Sequence, residues 1–288
     1  MNYSALIQNR KSVREFTDKK VPAAVLAEIE AYYRQSCKRL VPGLKTELRI
    51  FGDDAKEALE GAAGYNQFLI GAPQYLVLLS EKGELAGENA GYIMEDLVLK
   101  LTDMDMGSCW LTFTDSAQVK QALDIASDLE VAAIAAFGYG AKAKKRLRIN
   151  ILSMSNVDIS AKRHYFDPKR SVDDLVFMDT WGNHDSVDAY IGFFDDMLWE
   201  AFYAASLSPS YLNRQAYGFV IHDGRITLVR RPDAYTTEID GKLSLGIVLL
   251  HFTSVASEWA GTIQWRFGAD AAALPLPEGY EAVASCVL

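Results

Sequence analysis

Arg10-Lys11-Ser12-Val13-Arg14-Glu15-Phe16 is the stretch on which the reading of this chain turns. Three cations and one hydroxyl fall within five residues, after a short apolar opening and before a helix predicted over Val21–Arg34. Arginine offers forked, planar donors, lysine a point charge, and serine a short neutral hydrogen bond; together they suit a phosphate monoester. The competing reading is a solvated basic stretch. The chain as a whole is acidic, with a formal net charge of −9. A cluster that opposes the global charge favours a specific anionic partner.

The 288 residues are 50% apolar, enough for one large core or two packed units. The acidic balance argues against a nucleic-acid binder, which needs a basic surface. Cys37, Cys109 and Cys286 are few and widely spaced, and the four histidines show no ligand spacing, so neither a disulfide framework nor a metal site is expected. No charged leader precedes a long apolar run, and no segment approaches the roughly 20 apolar residues of a membrane span. A cytoplasmic protein with no membrane association is the expectation. No G-x-S-x-G elbow and no G-x-G-x-x-G after a strand are present, which disfavours a hydrolase and a Rossmann site. His251 reads as a satisfied core residue and Trp181, Trp199, Trp259 and Trp265 as core. The pairs Asp173-Asp174 and Asp195-Asp196 read as solvated helix faces.

Periodicity predicts strands at Thr46–Phe51, Tyr75–Ser80, Ser108–Phe113 and Val131–Tyr139. It predicts helices at Asp54–Gly61, Asn89–Asp105 with Gly107 as its cap, and Ser116–Leu123. Residues 141–171 read as a basic connector. Beyond it come a helix at Phe193–Ser206, a hairpin of Gly218–His222 and Arg225–Arg230 around Asp223-Gly224, a long apolar helix at Lys242–Ser257 and a last strand at Ile263–Phe267. The grammar of the two parts is similar, which suggests an internal duplication. Helices and strands alternate irregularly, so the fold class is α+β.

A second segment stands out: Ser206-Leu207-Ser208-Pro209-Ser210-Tyr211-Leu212-Asn213-Arg214-Gln215-Ala216-Tyr217. Ser208, Ser210, Asn213 and Gln215 place four neutral hydrogen-bonding side chains around one proline, which suits a heteroaromatic or ribityl ligand. An ordinary helix-to-strand turn with serine caps is the alternative.

Together these segments resemble the FMN-dependent nitroreductase family. Residues 10–16 are similar to its R-R-S-x-R-x-F signature, and residues 208–217 to its P-S-S-x-N-x-Q-P-W loop. Three more stretches agree: Met106-Gly107-Ser108-Cys109-Trp110 with G-L-G-x-x-W, Ala135–Gly140 with a late strand ending in G-Y, and Lys169–Leu175 with a following basic segment. In ordinary members the arginine motif and the loop belong to one short subunit, and two subunits build two sites. Here residues 35–46 lack the loop, which occurs only in the second half. The resemblance therefore implies a nitroreductase-like fold of two fused halves, 1–160 and 161–288, mimicking the usual homodimer. Such a chain would act as a monomer with one complete flavin site.

The resemblance also implies the site. Arg10, Lys11, Ser12 and Arg14 would hold the FMN phosphate or ribityl chain, with Lys169 and Arg170 as later cations and Lys144, Lys145 and Arg146 as runners-up. Ser208, Pro209, Ser210 and Asn213 would meet the flavin from the other half. Trp110, Leu111 and Thr112 would offer backbone near the ring edge, and Asn66 and Gln67 polar contacts to the ring. The implied activity moves electrons from NAD(P)H to a nitroaromatic, quinone or similar acceptor, with no protein acid or nucleophile required. A flavin-binding or flavin-sensing protein without turnover is the alternative.

Overall fold

In the computed structural model, the described residues are 1–64, 68–141, 146–153, 156–162, 169–268 and 274–288, with 146–153 and 156–162 described by backbone only. The first part runs α1 (Tyr3–Asn9), α2 (Ala23–Gln35), β1 (Thr46–Phe51), α3 (Ala55–Leu59), β2 (Gln74–Ser80), α4 (Ala86–Asp103), β3 (Gly107–Leu111), α5 (Ser116–Ala122) and β4 (Glu130–Gly138). A hairpin of β5 (Arg146–Ser153) and β6 (Asn156–Lys162) follows. The second part holds β7 (Val176–Met178), α6 (Val187–Gly192), α7 (Met197–Ser206), β8 (Tyr217–His222), β9 (Arg225–Arg230), α8 (Glu238–Ala260), β10 (Arg266–Phe267) and β11 (Glu281–Val287).

The two main sheets share one topology. The first has the order β1-β2-β4-β3, and the second β8-β9-β11-β10, with β7 added beside β8. In each, the long helix lies between the second and third strands: α4 in one, α8 in the other. The fold is α+β, and the similar grammar of the two parts is a structural repeat. β2 and β4 are apolar on both faces because both faces are covered. Tyr75, Val77 and Leu79 join the core beneath α3 and α5, while Leu76 and Leu78 join the core beneath α2 and α4.

The repeats are locked through α4 and α8, which pack against each other. A Cβ placed on Gly91 would run into the Leu243 carbonyl, and one on Gly246 into the Glu88 carbonyl. Each glycine thus sits over the carbonyl of the residue three positions before the other glycine, the signature of a two-fold-like crossing. Core side chains follow the helices across the junction. Tyr92 and Leu99 of α4 belong to the second part's core, and Leu243 of α8 belongs to the first part's. α8 has the length and hydropathy of a membrane span, but 78% of its apolar window is buried inside the protein, as expected of a helix apolar on all sides at the centre of a fold.

Several expectations need correction. α4 ends before Gly107: its cap is Met104, and Asp105 takes the left-handed turn at φ 55°, a conformation that short polar side chains tolerate. The helix expected over Phe193–Ser206 breaks at Asp195 and Asp196, both left-handed at φ 51° and 61°, so these residues form a corner rather than a helix face. Asp174 closes a turn, accepting from Ser171 N at 3.2 Å and Ser171 Oγ at 2.9 Å. Residues 141–171 contain the β5–β6 hairpin, and the boundary expected at 160/161 falls inside β6. The strand at Ile263–Phe267 shrinks to β10, and β11 is the last strand; its small residues gave no strand-like apolar run. Trp199 is 43% exposed and stacks on Tyr203 with centroids 5.0 Å apart.

The crossing predicts a local intolerance. Gly246→Ala should destabilise the chain by about 1–3 kcal/mol, because backbone must move to admit one methyl. The control Gly192→Ala, which meets nothing within 4 Å, should change thermal unfolding little. Equal melting temperatures for the two variants would contradict the close crossing.

Candidate functional site

Residues 10–17 form a strip stitched to the first sheet. Ser12 bridges Ser108, Val13 N donates to Ser108 O at 2.8 Å, Phe16 bridges Gly140, and Thr17 N donates to Tyr139 O at 2.8 Å. Three of the segments singled out in the sequence (residues 10–16, 106–110 and 135–140) therefore lie side by side. Lys11 and Arg14 are exposed, whereas Arg10 turns inward. β3 is the edge strand of its sheet. Its outer side is covered by Ser12–Val13 at the start and by Ala63–Gly64 at the end, where Gly64 N donates to Thr112 O at 2.7 Å. An edge of this kind leaves backbone donors and acceptors outside the ladder. Asn66 and Gln67 lie outside the described residues, as do Lys144 and Lys145 and the side chain of Arg146.

The 208–215 loop is strained and pinned from within. Leu212, Asn213 and Gln215 are all left-handed, at φ 47°, 56° and 42°, a conformation that costs a non-glycine residue on the order of 1–3 kcal/mol and that clusters at functional sites. Gln215 is fully buried. Its amide donates to Ser206 O at 2.7 Å and accepts from Arg170 N at 2.8 Å, while its own backbone N donates to Ser210 Oγ at 2.9 Å. Gln215 is thus spent inside the protein and is not offered to a ligand. Lys169 Nζ donates to Ser208 O at 2.8 Å, so both members of the basic pair brace the loop. Ser208 and Pro209 are buried, and Ser210 and Asn213 are half-buried.

A buried charge cluster joins strip and loop. The Arg10 Nε lies 3.4 Å from Glu95 Oε1 without forming a hydrogen bond. Glu95, on α4, is fully buried and accepts from Trp110 Nε1 at 2.7 Å. His251, on α8, sets Nε2 3.0 Å from Glu95 Oε1 and Nδ1 3.0 Å from Ala204 O. The Ala204 carbonyl can only accept, so Nδ1 donates to it, and Nε2 is the nitrogen that faces the carboxylate. Ala204 lies four residues before Ser208, and α1, which delivers Arg10, packs on α4, α7 and α8. Burial by itself pushes the Glu95 carboxyl up, but the His251 hydrogen bond, the Arg10 charge and the Trp110 donor outweigh it and hold the group below the ordinary carboxylate range. Just past β3, Thr112 Oγ1 donates to buried Asp240 of α8 at 2.9 Å; burial pushes the Asp240 carboxyl up despite donation from Thr237 and Thr112.

The corresponding join in the first repeat, between α2 and β1, is filled by the protein itself. Lys38 N, Tyr3 Oη and Tyr32 Oη donate to buried Asp96 at 2.8, 2.8 and 2.9 Å, and Lys38 Nζ donates to Ser254 Oγ at 3.1 Å. Arg39 is spent on Thr46 Oγ1 at 2.8 Å and Tyr33 O at 3.1 Å. Sequence reasoning missed Asp240 and Glu95, the partner of His251. The available signal was a carboxylate pair, Glu95-Asp96, inside the apolar run Ile93–Leu99.

A family model described as "Putative TM nitroreductase" matches residues 2–173. Among solved structures, a putative nitroreductase from Thermotoga maritima aligns over 100% of this chain and 94% of its own, at 19% identity and a TM-score of 0.61. A nitroreductase family protein from Clostridium novyi covers 49% of this chain and 87% of its own, at 21% identity and a TM-score of 0.43. A putative nitroreductase from Desulfovibrio desulfuricans, solved in complex with FMN, covers 54% and 97%, at 18% identity and a TM-score of 0.43. No curated protein matches the chain.

Glu95→Gln should cost about 3–5 kcal/mol near neutral pH, because it strands the buried Arg10 guanidinium in the core. The folded carboxyl titrates below its ordinary value of 4.5, so its stabilisation is complete above that pH and disappears as pH falls below it. Urea unfolding should therefore show a gap between the two proteins at pH 7 that narrows at about pH 3. A gap independent of pH would contradict the assignment.

Proposed function

This chain belongs to the nitroreductase family, and from that premise we propose that it is an FMN-dependent oxidoreductase carrying electrons from NADH or NADPH to a nitroaromatic, quinone or similar acceptor. The observation that carries the reading is the junction just described. The cationic strip of one repeat and the strained loop of the other are tied together by Arg10, Glu95, His251 and the Ala204 carbonyl.

The residues present fit the cofactor. Arg14, Lys11 and Ser12 form a donor set suited to a phosphate on the exposed side of the strip, while Arg10 adds positive charge from the buried side. Ser210 and Asn213 on the left-handed loop would meet the flavin from the second repeat, with Lys169 and Arg170 holding that loop in place. Trp110, Leu111 and Thr112 would present the outer edge of β3 to the ring. When bound, FMN supplies the hydride and electron chemistry, and the protein supplies position and charge. In this reading the two repeats, one ending with β4 and the other beginning at β7, replace two subunits, and the chain works as a monomer.

The test is a spectrum and a pair of variants. Freshly purified protein, or protein reloaded with FMN and dialysed, should show the two bands of oxidised flavin and should bleach under anaerobic NADH or NADPH. Arg14→Ala should weaken FMN binding by about tenfold or more, the worth of a charge-assisted hydrogen bond. Asn213→Gly, which keeps the left-handed backbone while removing the amide, should weaken it less. Unchanged affinity in either variant would sink the shared site, and retained flavin that no nicotinamide bleaches would favour a flavin-holding protein without turnover.

A further inference from the structure

The second repeat carries a cavity of about 230 Å³ whose lining includes Ser210, Arg214, Arg231, Asp233, Thr237 and Ser244. Its charges do not cancel. Asp233 takes both Arg214 Nε at 2.9 Å and Arg214 Nη2 at 2.6 Å, and Thr236 Oγ1 donates to its other oxygen at 2.5 Å. Glu238, also in the lining, is matched by Arg230 at 3.2 Å and Lys242 at 3.2 Å. Each carboxylate of the cavity thus has its own cation, and Arg231 is left over.

Arg231 is held ready rather than satisfied. Nη2 donates to the Arg214 carbonyl at 3.1 Å, which fixes the side chain. Its buried Nε meets no acceptor among the described residues. Burial and the neighbouring Arg170 charge hold the guanidinium below the ordinary arginine value, only partly offset by Asp233. A half-buried arginine beside a second arginine, with a donor unmet, is costly unless an anion completes it. Ser210 adds a second donor: its Oγ accepts from Gln215 N at 2.9 Å and so keeps its proton for a ligand.

We propose that this cavity binds an oxyanion, a phosphate or carboxylate group of a second small molecule, through Arg231 and Ser210, separately from the cationic strip at residues 10–14. The ligand is then an acidic partner of the redox reaction: a nucleotide phosphate on the electron donor's side or the carboxylate of an acidic acceptor. Naming the ligand a redox partner rests on the proposed function, and Ser210 belongs to the loop that would also meet the flavin; the anion site itself is carried by Arg231, which lies outside the proposed flavin contacts.

The experiment is a titration of the full chain with inorganic phosphate and, separately, with benzoate, followed by thermal shift and calorimetry, on the wild type, Arg231→Gln and Arg231→Lys. Both probes should raise the wild-type melting temperature. Arg231→Gln should weaken binding by about tenfold or more, and Arg231→Lys should recover part of it. Preference for phosphate would identify a nucleotide, and preference for benzoate an acidic acceptor. A parallel titration with FMN and riboflavin separates the sites: Arg231→Gln should leave both affinities unchanged. Loss of FMN binding with riboflavin unaffected would mean that Arg231 serves the flavin's own phosphate and would overturn a second anion site. Should Arg231→Gln fail to fold, wild type saturated with FMN still decides, because its cationic strip is then occupied: stabilisation by either probe supports the proposal, and no stabilisation overturns it.

Discussion

Everything in this molecule depends on how closely α4 and α8 approach. At most helix crossings side chains set the spacing, but here two glycines let backbone lie on backbone. The reciprocal contact, each glycine over the carbonyl three residues before the other, brings two copies of one topology into a single core. Tyr92, Leu99 and Leu243 are then buried in the opposite repeat's core. Burial of large apolar side chains across the junction contributes roughly 1.5–3 kcal/mol each, and neither repeat can bury its long helix alone.

That closeness also makes a dry place for charge. Glu95 on one helix and His251 on the other meet because the helices do, and Arg10 arrives through α1, which packs on both. An isolated carboxylate there would be expelled or neutralised; the His251 hydrogen bond, the Arg10 charge and an indole donor keep it ionised. The immediately following residue, Asp96, faces the other side of α4 and is pushed the other way by burial, with tyrosines and a backbone amide around it. Two successive carboxylates of one helix thus serve two pseudo-equivalent places. One of these has become solid protein, while the other adjoins the strained loop and the cationic strip. The asymmetry follows from what fills each helix-to-strand join: Lys38 and Arg39 in one, Ser208, Pro209 and Ser210 in the other.

Much of this was legible in the residues. Strand and helix positions followed from periodicity, since β2 is apolar throughout and the Asp223-Gly224 turn could hardly be anything but a hairpin. The strip and the loop stood out by composition, and the repeat was visible as grammar. What stayed hidden was long-range. Arg10 reads as a phosphate ligand until Glu95, 85 residues on, turns out to face it. Gln215 reads as a ligand donor until Ser206 and Arg170 claim its amide. Arg231 has no motif at all; its interest comes from partners that Arg214 and Arg230 take first. Left-handed aspartates at 105, 195 and 196 stand at helix boundaries that apolar spacing alone would run through. β11, short of large apolar side chains, needed its neighbour β9 to become a strand.

The central claim is that two repeats build one flavin site, on the side where the loop is present. The most direct measurement is the stoichiometry of flavin per chain, obtained by saturating the purified protein with FMN, removing the excess, and quantifying released flavin against protein concentration. One flavin per chain is the result this account predicts. Two per chain would mean that the join filled by Lys38 and Asp96 can open into a site of its own, and would contradict it.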